Sequence, residues 1–478
     1  MRRLALILAG AAALGGCVDL APKYQRPASP TPASFPTGPA YAPAPSVATA
    51  PTGWRDFFSD PKLRGIIETA LRNNRDLRIA VANIDAARAQ YHVQRAALFP
   101  TLGASANATY GQEPVSVVSG GAVAPGQSTV FNERLYSLGA GVTAWQLDLF
   151  GKVRNQTRAA QDQYFATRQA RDAAQITLVG EVAGDYLTLS SDRSLLAIAQ
   201  ATLKSGQASL DLTQARLNAG VASALDVEQA QTTVQQARYD VARLTTLVAQ
   251  DRNALELVVG APVADADLPD ALDSEVVVLD KLPAAVSSAV LLDRPDVLQA
   301  EDVLRGANAS IGAARANFFP SISLTGSGGL TSLALSSLFK AGSATWSFAP
   351  TVSQTIFDFG ANKGNLAYAK AERDVDVAQY EKAIQTAFRE VADALAQRGT
   401  IDEQVSAQGA LTEASRQSLI LATARYERGA DTYLNVLIAQ RTYYAAQQTL
   451  VTTRLARSLN LVTLYGALGG GLDTAKGG

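Results

Sequence analysis

The feature that most restricts this chain is a helical pattern running from Lys152 to about Asn218 with no proline in it. At about 1.5 Å per residue such a helix is roughly 100 Å long, more than an ordinary globular domain can hold. Ile176, Val179, Ala183 and Tyr186 form one apolar seam, and Leu178, Val182 and Leu189 lie on a second beside it. A helix apolar on two stripes packs against neighbours on both sides, as a stave in a wall does. The pattern turns at Gly220, and a shorter helix follows from about Ala224 to Val258.

The plan then repeats. Phe319-Pro320 stands 220 residues after Phe99-Pro100, and a second turn, Gly429, stands 209 residues after Gly220. Each half reads as helix, strand hairpin, long helix, turn and shorter helix, and a repeat of that length is a property of the architecture. The first half covers 53–260, with its hairpin at 101–147 and helices at 152–218 and 224–258. The second covers 282–465, with its hairpin at 321–357 and helices at 361–428 and 431–465. The helix before the first hairpin reads as continuous from Pro61 to about Leu98. Between the halves, 261–281 is an acidic, solvated linker, and 466–478 is a Gly-rich tail.

The hairpins carry a different period. Leu102, Ala104, Ala106, Ala108 and Tyr110 alternate with Gly103, Ser105, Asn107 and Thr109. Tyr136, Leu138, Ala140, Val142 and Ala144 alternate with Ser137, Gly139, Gly141 and Thr143, after a connection of roughly twenty residues. Ile322 and Leu324, then Trp346, Phe348, Val352 and Ile356, alternate with Ser and Thr in the second half. Strands of about ten residues with one apolar and one small polar face fit lipid on one side and water on the other. Packing the two hairpins into a soluble sandwich is the competing arrangement, and the long helices leave no compact domain for it to join. An open sheet edge is not tolerated in hydrocarbon, so four strands must be completed by other copies. Three chains give twelve strands, within the range of outer-membrane barrels.

One cysteine and one histidine, His92, leave no intramolecular disulfide and no histidine-based metal site or triad, and a formal net charge of -1 gives no sign of a nucleic-acid partner. An enzyme is the least favoured class, and neither a cofactor nor a metal is expected. Met1-Arg2-Arg3 and the apolar run Leu4 to Leu14 read as a signal peptide, 1–16. It ends in Leu14-Gly15-Gly16-Cys17, which resembles a bacterial lipobox, so a covalent lipid is expected on Cys17. Residues 17–52 are rich in proline and form either a tether along the protein body or a linker without a fixed path.

Several stretches resemble the outer-membrane factor family, the channel lipoproteins of tripartite multidrug efflux pumps. They are Tyr24-Gln-Arg-Pro27, Asp293-Arg-Pro-Asp296, Ala309 through Ile322, Val377 through Ala387, and Tyr465-Gly-Ala-Leu-Gly-Gly470. The resemblance covers Cys17 to about Gly470. It implies an α+β membrane protein with a long barrel of antiparallel helices and a transmembrane β-barrel completed by trimerisation. It also implies a lipid-anchored place in the bacterial outer membrane with a large periplasmic extension, a homotrimer, a periplasmic adaptor and a proton-driven inner-membrane pump of the RND type. The exit channel of a protein-secretion or metal-efflux system is an alternative within that architecture. A periplasmic coiled-coil adaptor without a pore is one outside it.

In such channels the Gly220 and Gly429 turns lie at the periplasmic tip, where the adaptor docks and the pore narrows. Asp226 matches a pore-facing aspartate and Tyr426 a tyrosine that helps hold the inner helices closed. Relatives carry an aspartate at the place of Asn435 or Ile438, and this chain does not. The expected gate is one carboxylate ring from Asp226, favouring cations, beside an apolar constriction from Leu434 and Ile438. Asp226 is alternatively a helix N-cap.

Overall fold

The computed structural model describes residues 18–41, 53–114, 130–270, 272 and 287–472. The signal peptide, Cys17, residues 115–129, and parts of the proline-rich segment, acidic linker and Gly-rich tail lie outside the described residues. Among those described, the elements are α1 (Trp54–Phe57), α2 (Pro61–Asn73), α3 (Arg75–Ala96), β1 (Leu102–Pro114), β2 (Val130–Leu147), α4 (Lys152–Asn218) and α5 (Ala224–Val259). They continue with α6 (Pro295–Ala316), β3 (Ser321–Ser332), β4 (Ala344–Ser353), α7 (Ala361–Glu427) and α8 (Tyr433–Ala467). A 3-10 turn, Ser288–Asp293, precedes α6. Both long helices contain 67 residues.

The chain divides into two compact units. Among the described residues, the first takes in 18–26, 85–114, 130–166 and 301–378, and the second 27–41, 53–84, 167–270, 272, 287–300 and 379–472. The first holds one antiparallel sheet in the order β1-β2-β3-β4. Its register gathers Leu102, Ala104, Ala106, Leu138, Val142, Leu324, Leu330, Trp346, Phe348 and Val352 on one face. Serines and threonines occupy the other, where Ser327 and Ser347 hydroxyls meet at 2.8 Å.

The alternation read from β2 breaks at one point. Between Val142 and Trp145, β2 advances three residues while β3 advances two, and Ala144 takes a left-handed backbone at φ 49°. This bulge absorbs one residue, so Trp145 and Leu147, not Ala144, continue the apolar face. β2 also begins earlier than expected, at Val130, which shortens the hairpin connection.

In the same unit, residues 18–26 follow a fixed path. The Val18 N–H donates to the Leu149 carbonyl at 3.1 Å, just past the end of β2. Arg315 donates to the Leu20 carbonyl at 3.0 Å and Asn308 to the Pro22 carbonyl at 2.7 Å. Glu301, only 1% exposed through its side chain, is ion-paired with Arg26 and with Arg305 and accepts from the Tyr24 hydroxyl. Burial opposes the charge of Asp19, yet Arg158, the Ala21 N–H and Asn155 outweigh it and hold the carboxyl at about 2. Within the second unit, Phe35 stacks on Phe388 with centroids 4.9 Å apart. Residues 18–26 and Phe35 of the proline-rich segment thus each pack on helices of their own unit.

The core of the second unit gathers Trp54, Phe57, Phe58, Leu63 and Ile67 around Val182, Leu187 and Leu189 of α4 and Leu255 of α5. Phe57 stacks on Tyr465 at 3.8 Å. The helix expected from Pro61 to about Leu98 is broken at Asn74. Its side chain accepts from the Leu77 N–H at 2.8 Å, capping α3, and donates to the Val258 carbonyl at 2.8 Å. A side chain that caps α3 and also ties the break to the end of α5 outcompetes continuous helix. At Gly260 (φ 73°) a Cβ would stand 2.6 Å from the Asn73 carbonyl oxygen, so this contact requires glycine.

Candidate functional site at the hairpin tips

The second unit brings the two turns together. Gly220 and Gly429 take left-handed backbones at φ 75° and 72°. In the first turn the Val221 N–H reaches the Arg216 carbonyl and the Gly220 N–H the Leu217 carbonyl, both at 2.9 Å. In the second, Ala430 reaches Arg425 at 2.9 Å and Gly429 reaches Tyr426 at 3.0 Å. Both long helices thus end in the same Schellman motif, which is why the sequence places glycine at each.

The helices that follow start differently. Ser223 caps α5: its hydroxyl accepts from the Asp226 N–H at 3.2 Å, and the Asp226 carboxylate accepts from the Ser223 N–H at 2.9 Å and from its hydroxyl at 2.8 Å. Asp226 is therefore the acidic half of a capping box rather than the N-cap itself. Thr432 makes no side-chain cap on α8. The carboxylate there belongs to Asp431, which accepts from the Thr432 N–H at 2.8 Å, the Asn435 amide at 2.6 Å and Arg425 at 3.1 Å. The Thr432 N–H first, then Asn435 and Arg425, hold Asp431 below the usual carboxylate range. Asn435, where relatives carry an aspartate, thus donates to a carboxylate four residues earlier in the turn.

Arg216 joins the hairpins. Its guanidinium lies 4.4 Å from the centre of the Tyr426 ring and donates to the Tyr426 and Glu427 carbonyls at 3.4 and 3.3 Å. A cation at the last carbonyls of α7 also meets the negative end of that helix. Tyr426 packs 5.4 Å from Tyr433, which is buried with Ala230, Val436 and Leu437. Burial foremost, then Tyr426 and Asp226, pushes the Tyr433 hydroxyl up to about 12. Neither tyrosine hydroxyl has a hydrogen-bond partner among the described residues. Leu434 and Ile438, one turn apart on α8, are about half exposed, whereas their neighbours Tyr433 and Leu437 are buried.

Gly220, Gly429, Asp226, Tyr426, Leu434, Asn435 and Ile438 thus share one end of the second unit. Sequence reasoning missed Arg216, Asp431 and Tyr433. A signal for Arg216 was present: Arg425, its counterpart 209 residues on, has Asp431 six positions later, where the first repeat has Ala222. Among the described residues, no group of three or more His, Cys, Asp or Glu side chains is placed to hold a metal ion. No helix among them is long and apolar enough to cross a membrane.

A profile of outer membrane efflux proteins matches residues 66–261 and 286–470. The chain belongs to the outer membrane efflux protein family. It is 45% identical over 460 residues to the probable efflux pump outer membrane protein TtgC of Pseudomonas putida, covering 96% of this chain and 93% of that protein. It is 41% identical over 463 residues to the outer membrane protein OprJ of Pseudomonas aeruginosa, covering 97% and 95%. Among solved structures, the open state of the Neisseria gonorrhoeae MtrE outer membrane channel superposes with a TM-score of 0.83 at 37% identity, covering 95% and 98%. A membrane protein from Pseudomonas aeruginosa gives 0.87 at 40% identity, covering 94% and 100%. With long helices and four strands per chain, this efflux protein is an outer-membrane exit component, and its family role is transport.

Proposed function

We propose that three copies of this chain form the outer-membrane duct of a tripartite efflux machine, fed by a periplasmic adaptor and an RND-type inner-membrane pump. One observation carries the reading: a four-stranded sheet, apolar on one face and Ser/Thr-rich on the other, with both edges unpaired among the described residues. Such a sheet is stable in a bilayer only when copies close it into a barrel. Small apolar and amphipathic compounds are the proposed cargo, since relatives are named as toluene, solvent and antibiotic efflux proteins. The duct conducts passively; the pump supplies the energy and most of the substrate choice.

A lipid on Cys17 fits the same picture. Val18, its neighbour, is bonded beside the end of β2, so acyl chains there would enter the bilayer at the barrel's rim. At the tips, three copies of Asp226 would form a carboxylate ring, with Asp431 near by and Leu434 and Ile438 as an apolar constriction. Gly220 and Gly429 would mark the adaptor's docking end.

The test is accumulation of a fluorescent dye and tolerance to toluene and antibiotics in cells lacking the gene, with and without a plasmid copy. Raised accumulation restored by the plasmid is expected. Unchanged tolerance to every compound, with metal sensitivity or a secretion defect instead, would overturn the drug and solvent reading in favour of that cargo.

A further inference from the structure

The long helices all join the sheet at one end, and its other end changes character abruptly. There the Tyr110 and Tyr136 hydroxyls meet at 2.9 Å, with their rings edge to face and 5.8 Å apart. Both tyrosines lie on the apolar face by alternation, and such rings gather where hydrocarbon gives way to headgroups. Beyond them the first hairpin turns polar on that face, with Gln112 and Arg134, as its ladder runs on to Pro114 and Val130. β3 stops earlier, at Ser332 opposite Tyr136. Residues 333–343, which join β3 to β4, therefore start at the level where the first hairpin becomes polar.

That connection is nevertheless apolar. Leu333, Leu335 and Phe339 are 68%, 61% and 74% exposed. Their exposure is built into a fixed shape: Leu335–Ser337 form a 3-10 turn, and the Thr331 N–H donates to the Ser343 carbonyl at 2.7 Å. The Ser343 hydroxyl donates to the Lys340 carbonyl at 2.8 Å, and Leu338 is buried. The Ser332 and Ser337 hydroxyls meet at 2.6 Å. Ser332 follows Leu330 on the apolar face by alternation, so this bond draws the turn toward that side of the sheet. Lys340 is the one charged residue between Arg315 and Asp358, so no acid in that stretch offsets it.

We infer that residues 333–343 are a lipid anchor: Leu333, Leu335 and Phe339 dip into the outer leaflet beside the apolar face, and Lys340 meets a lipid phosphate at its surface. The inference rests on the reading of this sheet as part of an outer-membrane barrel with its helices in the periplasm. Continuity with the apolar face and the unopposed cation both select an anionic lipid surface as the occupant. Gathered over the pore instead, three copies would crowd three Lys340 side chains around one axis with no acid of the connection between them.

The test uses the full-length trimer in phosphatidylcholine vesicles with and without lipid A, spin-labelled at single introduced cysteines. Cys17 is the only native cysteine, and its sulfur is taken by the lipid in the proposed mature protein. Power-saturation spectra compare collision with oxygen, which enters hydrocarbon, and with a nickel chelate, which stays in water. Leu138→Cys on the apolar face and Thr345→Cys on the polar face supply the lipid and water references. Labels at Leu335→Cys and Phe339→Cys should favour oxygen as Leu138→Cys does, and Leu333→Cys replaces either one if it fails to give heat-resistant trimers. Nickel preference at the loop sites with oxygen preference at Leu138→Cys would overturn the anchor and leave the barrel standing. Protection from both reagents at the loop sites would place protein over them and overturn the anchor equally. Nickel preference at Leu138→Cys would remove the barrel reading itself. Lipid A should shift the Phe339→Cys label deeper, and Lys340→Gln should abolish that shift. A shift that is absent, or that persists in Lys340→Gln, would overturn the phosphate contact.

Discussion

Replacing Arg216 by alanine should loosen the tip. The side chain contributes a stack on the Tyr426 ring at 4.4 Å, worth about 0.5–1 kcal/mol where solvent reaches it. Its two hydrogen bonds to carbonyls are long, at 3.3 and 3.4 Å. Half exposed and screened, they add about 1 kcal/mol rather than the fuller value of a buried charged bond. The sum, about 1.5–2 kcal/mol, corresponds to a factor of roughly 10–30 in the balance between joined and separated hairpins. If separation of the hairpins opens the tip, single channels of Arg216→Ala in planar bilayers should show an open probability raised by about that factor. Arg216→Lys keeps the charge but loses the planar fork and the stack, so it should fall between the two. Tyr426→Ala should match Arg216→Ala. Open probabilities within twofold of the unaltered channel for both alanine variants would refute the clamp.

Other expectations follow from the same residues. Asp226→Asn should reduce cation preference with little loss of stability, whereas Ser223→Ala should cost about 1 kcal/mol of cap energy and leave selectivity intact; reversed results would mean that Asp226 serves the helix alone. Burial, then Asp302, raises the Asp162 carboxyl to about 6. The folded state therefore binds the proton more tightly than the unfolded chain, and this contribution to stability, full below about pH 4, is lost as pH rises through 6. Asp162→Asn should accordingly flatten the rise in thermal stability between pH 7 and 5, and an unchanged profile would contradict it. At Gly329 a Cβ would stand 2.3 Å from the Leu138 carbonyl oxygen and 2.7 Å from the Gly139 Cα. Gly329→Ala should therefore part β2 from β3 and abolish heat-resistant trimers, and normal trimers would show that the strands can separate at no cost.

Much of the fold was legible because long elements announce themselves by period. The stretch Lys152 to Asn218 has no proline to end it and a left-handed glycine to stop it, and α4 has those bounds. Strand faces were read from alternation alone, except at Ala144, where a bulge changes phase without a glycine or proline to mark it, and at Ile356, which lies past the end of β4 at Ser353. The break at Asn74 was hidden because asparagine is tolerated inside helices, and its capping role depends on the Val258 carbonyl, far away in sequence. The candidate site residues were named through the repeat and the family resemblance. What escaped were contacts between the hairpins, such as Arg216 on Tyr426, and the carboxylate of Asp431, which lies in the turn rather than on the helix. A single stretch of sequence carries no record of which distant carbonyl a guanidinium will reach.

The central claim is that copies of this chain close into a pore through the outer membrane. Its most direct test is single-channel recording from the purified, lipid-modified protein in planar bilayers. Discrete, cation-preferring conductance steps from a trimer are predicted. A trimer that inserts and leaves the bilayer electrically silent under every voltage, and with Arg216→Ala, would contradict the account.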